Sequence, residues 1–257
     1  MELQYLLADP AGNRTLFILT PVPAEARGRI AKALMSRPDL ACEQVGFVHD
    51  GRMDMMGGEF CGNASRSYGA MLAREQGLPL PASLQVAVSG SGETLTVTVR
   101  PAGKNACTAA ISMPLPRRIV SLPDTALGGV TAVAYEGITH LVLDSREPEE
   151  GDLACAQALV RQCGFCEDCV GLLYLKNGFL RPRVFVRDSD TLVWESSCAS
   201  GTCAVTAALA ANAKQSVTLD LPQPGGVLRC EAVWENGLVS LTLDGPVTFP
   251  LSGTVSV

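Results

Sequence analysis

The spacing of apolar and polar positions predicts a short series of elements before any chemistry is considered. Over residues 24–35, Ala26, Ile30, Ala33 and Leu34 recur at helical spacing, and Pro38 lies just past the end. Ala64, Tyr68, Met71 and Leu72 repeat that period, with Gly77 and Pro79 as a stop. Residues 84–88 and 94–99 read as strands of a hairpin turning at Ser89-Gly90-Ser91-Gly92, and residues 106–113 as a further strand. In the second half, residues 153–162 predict a helix that Gly164 can end. Residues 202–213 predict another, apolar nearly all round, as a helix buried on every side should be. Strands follow at 216–221, 227–234 and 238–243, separated by Pro222-Gln223-Pro224-Gly225-Gly226 and Glu235-Asn236-Gly237.

One order occurs twice. Cys61 and Cys198 each precede a glycine-bearing turn, a helix, a pair of strands and one more strand. That repetition predicts a duplicated α/β chain of two similar lobes, with a boundary near residues 116–120.

Bulk composition narrows the field. A chain of 257 residues can form one large domain or two smaller ones, with 47% hydrophobic and 18% charged residues, an ordinary globular balance. A net charge of −6 argues against nucleic-acid binding, which needs a basic face. Asp9-Pro10 interrupts the first apolar residues and no basic region precedes them, so no signal peptide is expected. No apolar run approaches the ~20 residues of a membrane span. The expected setting is cytoplasmic, with the ten cysteines as reduced thiols rather than a disulfide framework.

The paired cysteines carry the candidate chemistry. A thiol at a helix N-terminus sits beside free N–H groups and the positive end of the helix dipole, which stabilise its thiolate. The small residues after each one (Gly62-Asn63-Ala64 and Ala199-Ser200-Gly201-Thr202) let backbone N–H groups approach an anion such as a carboxylate. Two such sites sharing one substrate would set a sulfur on each side of its α-carbon. One sulfur, as thiolate, removes the α-proton; the other, as thiol, protonates the opposite face. That inverts a stereocentre without a cofactor. The bland alternative is that both cysteines simply pack, as the other eight are expected to do.

These motifs resemble the cofactor-independent amino-acid racemases typified by diaminopimelate epimerase. Cys61-Gly62-Asn63-Ala64 and Ser197-Cys198-Ala199-Ser200-Gly201-Thr202 match that family's two active-site motifs, Pro10-Ala11-Gly12-Asn13 its N-terminal motif and Pro224-Gly225-Gly226 its late turn. The likeness runs from about residue 5 to residue 250. It implies an α/β (α+β) fold of two pseudo-symmetric lobes, each a curved sheet or barrel wrapped round a central helix, with the active site in a cleft between them. The lobes would be residues 1–117, joined by a C-terminal strand over 246–257, and residues 118–245. Cys61 and Cys198 would be the acid/base pair, and Asn13, Gly62, Asn63, Ser200, Gly201 and Thr202 the contacts to carboxylate or amino group.

The distal substrate contacts depart from diaminopimelate epimerase. Gly137-Ile138-Thr139-His140 and Cys169-Val170-Gly171 stand where that enzyme has asparagines, and no arginine around 187–195 clearly matches its arginine. A similar pattern occurs in the histidine racemase branch that supplies D-histidine for opine-type metallophores. The runs Cys42-Glu43-Gln44-Val45-Gly46-Phe47, Glu59-Phe60-Cys61-Gly62-Asn63-Ala64 and Trp194-Glu195-Ser196-Ser197-Cys198 carry that likeness. It implies that Glu43 contacts the substrate imidazole, against the alternative of a solvated loop charge.

Other features weigh less. Cys163, Cys166 and Cys169 form a C-x2-C-x2-C run without an evident fourth ligand, so no metal is expected. Of the two histidines, His49 and His140, the latter reads as structural rather than as a base. Lys32, Lys104, Lys176 and Lys214 sit in no context for a pyridoxal Schiff base, and no cofactor is expected. Ser89-Gly90-Ser91-Gly92 lacks the lysine of a phosphate loop. The leading expectation is a histidine racemase whose partner is a small-molecule amino acid, with a homodimer considered and the quaternary state left open. Racemases or epimerases of diaminopimelate, proline or hydroxyproline are the enzymatic rivals. A non-catalytic amino-acid-binding protein and a thiol redox sensor using the Cys163 cluster are rivals of other classes.

Overall fold

The computed structural model describes residues 1–103, 106–166, 168–187 and 190–257. By its internal packing the chain divides into two compact units, Met1–Ser112 with Asp244–Val257, and Met113–Leu243. Lys104 lies outside the described residues, as do Asp188 and Ser189.

The first unit holds β1 (Glu2–Asp9), β2 (Thr15–Ile18), α1 (Ala24–Met35), β3 (Gln44–His49), β4 (Arg52–Met55), α2 (Gly62–Glu75), β5 (Ala82–Val88), β6 (Leu95–Pro101) and β7 (Ala106–Met113). The second holds β8 (Arg118–Thr125), β9 (Gly128–Ala134), β10 (Thr139–Asp144), α3 (Asp152–Gln162), β11 (Cys169–Lys176), β12 (Phe179–Val186), β13 (Thr191–Trp194), α4 (Ala199–Ala213), β14 (Val217–Gln223) and β15 (Gly226–Trp234). The long β16 (Leu238–Ser256) starts in the second unit and belongs to the first from Asp244 onward.

In the first unit the strands run β1-β2-β3-β4-β5-β6-β7-β16, and β16 pairs back to β1 from Glu2↔Ser256 to Asp9↔Thr248. The sheet therefore closes on itself and leaves no free edge at that seam. Helix α2 is buried along most of its length, from Gly62 to Ala73. Helix α1 sets Ile30, Ala31 and Leu34 among Leu3, Leu7, Leu16, Ile18, Val45 and Phe47.

In the second unit β13-β12-β11-β10-β9-β8 form one sheet, antiparallel except for the parallel pair β10 and β11. Ala156 and Val160 of α3 pack with Leu141, Leu143, Val170 and Leu172, while Ala204, Val205 and Ala208 of α4 pack with Val133, Val142 and Leu173. Side chains from β10 and β11 are thus buried on both faces. That is why residues 139–143 and 169–175 show no alternation of polar and apolar positions. The same holds for β2, all four of whose residues are buried.

Two expectations need correction. The glycine-bearing turns after Cys61 and Cys198 are not turns; they are the first turns of α2 and α4, which begin at Gly62 and Ala199. Nor is α4 buried on every side: Leu209 is 40% exposed and Asn212 lies at the surface. Alanine is small enough to serve on both a packed and a wet face, so the apolar pattern over-reads burial at that end.

Candidate active site

Cys61 is the residue that caps α2. Its extended backbone (φ −128°, ψ 111°) turns the side chain back over the helix start, where Sγ accepts the N–H of Ala64 at 3.4 Å. Ser65 Oγ donates to the Cys61 carbonyl at 2.7 Å, a second tie on the same turn. A side-chain donor also reaches the sulfur: Gln44 Nε2 lies 3.4 Å from Sγ, 2.8 Å from Thr15 Oγ1 and 2.9 Å from Asn13 Oδ1. Asn63 Nδ2 donates to the same Asn13 oxygen at 3.3 Å, and Asn13 Nδ2 donates to Glu43 Oε2 at 2.8 Å. Of the expected site residues in this unit, Cys61, Gly62, Asn63, Asn13 and Glu43 are therefore one connected group.

The loop before Cys61 is pinned from the β5–β6 hairpin. Ser89 Oγ donates to Glu59 O and accepts from Met55 N, both at 2.8 Å. Gly90, at φ +68°, has its backbone so close to Glu59 and Phe60 that a Cβ there would overlap them. The Ser-Gly-Ser-Gly run is a hairpin loop, as expected, and it also holds the approach to the thiol.

Cys198 repeats the geometry at α4. With φ −119° and ψ 114° its Sγ accepts the N–H of Gly201 at 3.3 Å, and Thr202 Oγ1 donates to its carbonyl at 2.7 Å. Its own N–H donates to Gln223 Oε1 at 2.8 Å, and Gln223 Nε2 donates to Thr202 Oγ1 at 2.9 Å. The late glycine turn contributes as well, since Gly225 N donates to Ser196 O at 2.7 Å. Ser200 Oγ lies 3.6 Å from Sγ and 2.9 Å from His140 Nε2.

Burial pushes the Cys198 thiol well above its ordinary range, and the charge and hydrogen bond of the Glu195 carboxylate push it further. The Ser200 hydroxyl and Gly201 N–H pull it down without prevailing. A helix N-terminus was expected to favour the thiolate here; desolvation at 6% exposure and an adjacent carboxylate reverse the sign. Cys198 rests as a thiol.

His140 is fully buried, and burial lowers its pKa to about 3, so it is neutral. It faces Gly171 across the parallel β10–β11 pair, and a Cβ on Gly171 would overlap its ring. The Gly171 position, one of those lacking the asparagine of diaminopimelate epimerase, is therefore filled by the neighbouring imidazole. Sequence reasoning did not single out Gln44, Thr15 or Gln223, whose side chains bond to the two cysteine-bearing turns. Gln44 stands within the Cys42–Phe47 run and Gln223 inside the late Pro-Gln-Pro-Gly-Gly turn, but nothing in the sequence says where their amides point. All ten cysteines are free thiols. In the C-x2-C-x2-C run, Cys166 Sγ donates to Asp168 Oδ2 at 3.4 Å. Among the described residues no cluster of three or more His, Cys, Asp or Glu could hold a metal ion, and no helix is long and apolar enough to cross a membrane.

Solved structures share the fold. A phenazine biosynthesis protein of the PhzF family from Bacillus anthracis superposes with a TM-score of 0.69 at 11% identity over 100% of both chains. A probable proline racemase from Agrobacterium radiobacter gives 0.65 at 14% identity, over 99% of this chain and 92% of that one. The chain has the α/β fold of these proteins. Sequence is more specific. A histidine racemase of Fusobacterium nucleatum is 33% identical over 99% of this chain and 97% of its own length. The model of the histidine racemase CntK N-terminal domain matches residues 2–256, and the protein belongs to that family. It is an isomerase, an amino-acid racemase.

Proposed function

We propose that the protein interconverts L- and D-histidine by two-base chemistry in which Cys61 and Cys198 act on opposite faces of one α-carbon. The observation that carries this reading is the duplicated thiol geometry. Each cysteine caps a buried helix, accepts an N–H three residues on and is tied by a hydroxyl four residues on, at 3.4 and 2.7 Å for Cys61 and 3.3 and 2.7 Å for Cys198.

The substrate carboxylate is held by N–H donors at the helix starts, where the dipole favours negative charge as it builds up during deprotonation. Cys61, whose sulfur faces the Gln44 amide and the Ala64 N–H, begins as the base; Cys198, held as a thiol, begins as the acid. After turnover the roles are exchanged, and the reverse reaction runs through the same groups. Asn13, Asn63, Ser200, Gly201 and Thr202 shape the contacts to carboxylate and amino group. Glu43, anchored by Asn13, accepts a hydrogen bond from the imidazole N–H. The histidine assignment is supported by the relatives, which are named histidine racemases.

The test is α-proton exchange of single L-amino acids in D2O, followed by NMR and optical rotation, without added pyridoxal phosphate or metal. Histidine should exchange fastest, and Glu43→Ala should slow histidine roughly 10- to 100-fold while sparing smaller substrates. Faster turnover of proline or diaminopimelate would overturn the substrate assignment and leave the thiol chemistry standing.

A further inference from the structure

We infer that Arg66 is a positioning residue for substrate recognition, acting as the donor-only origin of a one-way hydrogen-bond chain that ends on the Glu43 carboxylate. The inference rests on the role proposed above for Glu43. Arg66 lies in the second turn of α2, five residues after Cys61, and is fully buried. Its NH1 group donates to the carbonyls of Gly245 and Pro246 at 2.8 and 2.9 Å, anchoring the guanidinium on β16. Its Nε donates to Asn63 Oδ1 at 3.2 Å. From there Asn63 Nδ2 donates to Asn13 Oδ1, and Asn13 Nδ2 to Glu43 Oε2.

The chain has only one possible direction. A guanidinium has five N–H donors and no acceptor, and an ionised carboxylate accepts only. With a donor at one end and an acceptor at the other, neither asparagine can flip its amide without setting like groups against each other. Gln44 Nε2 reinforces this by giving Asn13 Oδ1 a second donor. The guanidinium stays charged at neutral pH, because burial lowers its pKa only to about 10, with the charges of Asp244, Cys61 and Cys107 opposing the fall. A buried arginine three hydrogen bonds from Glu43 thus fixes which amide atoms a substrate meets and how the carboxylate is aimed.

Two arms test this. In the ligand-free protein, the side-chain amide protons of Asn13 and Asn63 should be protected from solvent exchange. Arg66→Lys, which keeps the charge but loses the fork, should cut that protection at least tenfold with the fold intact by near-UV circular dichroism. Asn63→Asp, which still accepts from Arg66 but sets an acceptor against Asn13 Oδ1, should change the exchange protection of the Asn13 amide protons. This arm needs no substrate and stays decisive should Arg66→Lys not fold or histidine not be turned over. In the second arm, Arg66→Lys should lower kcat/KM for histidine about 10- to 100-fold in the parent, but less than about threefold in a Glu43→Gln background, where the carboxylate that the chain aims is already gone. Unchanged amide protection, or equal losses in both backgrounds, would overturn the inference. A parent protein inert toward histidine would overturn the substrate reading instead.

Discussion

Gln223 holds Cys198 from the outside of the helix it caps: its Oε1 takes the Cys198 N–H at 2.8 Å while its Nε2 gives a proton to Thr202 Oγ1 at 2.9 Å. One amide, 4% exposed, thereby satisfies two polar groups of the first turn of α4 from the end of β14. Gln223→Leu leaves a buried N–H unpaired, so urea unfolding should register a loss of about 1–3 kcal/mol. Gln223→Glu keeps an acceptor for Cys198 but turns a second acceptor on Thr202, and should be the more harmful to turnover. Stability equal to the parent in both variants would remove Gln223 from the cap.

The thiol pair makes a stereochemical prediction. Cys61→Ser and Cys198→Ser should each reduce inversion of histidine by about 10²- to 10⁴-fold, the usual range for loss of a general acid or base. Slow exchange of the α-proton without inversion should survive in each variant for one enantiomer, and the two variants should favour opposite enantiomers. Chiral chromatography combined with deuterium incorporation reads both quantities. Substantial inversion by either variant would mean that one sulfur suffices.

Because burial, reinforced by the Glu195 carboxylate, holds Cys198 in its protonated form, Cys198 should be alkylated slowly by iodoacetamide at neutral pH. Replacing the carboxylate by an amide in Glu195→Gln removes a negative charge that opposes the thiolate. Modification of Cys198, followed by mass spectrometry of its peptide, should then accelerate several-fold. No acceleration would leave burial as the sole cause of the raised pKa.

His140 should make the protein acid-sensitive. Its folded pKa of about 3 lies below the unfolded value near 6.5, so between those values the unfolded chain binds a proton that the folded one refuses. Stability due to this group is complete above pH 6.5 and falls as the pH drops toward 3, with a slope approaching about 1.4 kcal/mol per pH unit. Urea midpoints at pH 7, 5.5 and 4.5 should decline, and the decline should be shallower in His140→Gln. Parallel declines in the two proteins would place the acid sensitivity elsewhere.

Much of this protein could be read directly from the order of its residues. The apolar periods gave α1, the strands β5 to β7 and the hairpin of β14 and β15 nearly to the residue, because each has one face toward solvent and one toward the core. The two cysteine contexts were legible for a similar reason: capping is local, and three or four neighbouring residues set it. Strands β2, β10 and β11 were hidden, since elements covered on both faces lose the alternation that marks a strand. The charge state of Cys198 was also beyond local reasoning. Its helix start argues for a thiolate, but burial and Glu195 outweigh it, and desolvation depends on everything packed around the sulfur. The same distinction runs through the candidate site. Cys61, Asn63 and Cys198 are declared by their neighbours in the chain, whereas Arg66, Gln44 and Gln223 act through partners brought to them only by the closing of a sheet or the return of a hairpin. Short-range geometry is written in sequence; the direction of a buried amide and the cost of a buried charge are properties of the folded surroundings.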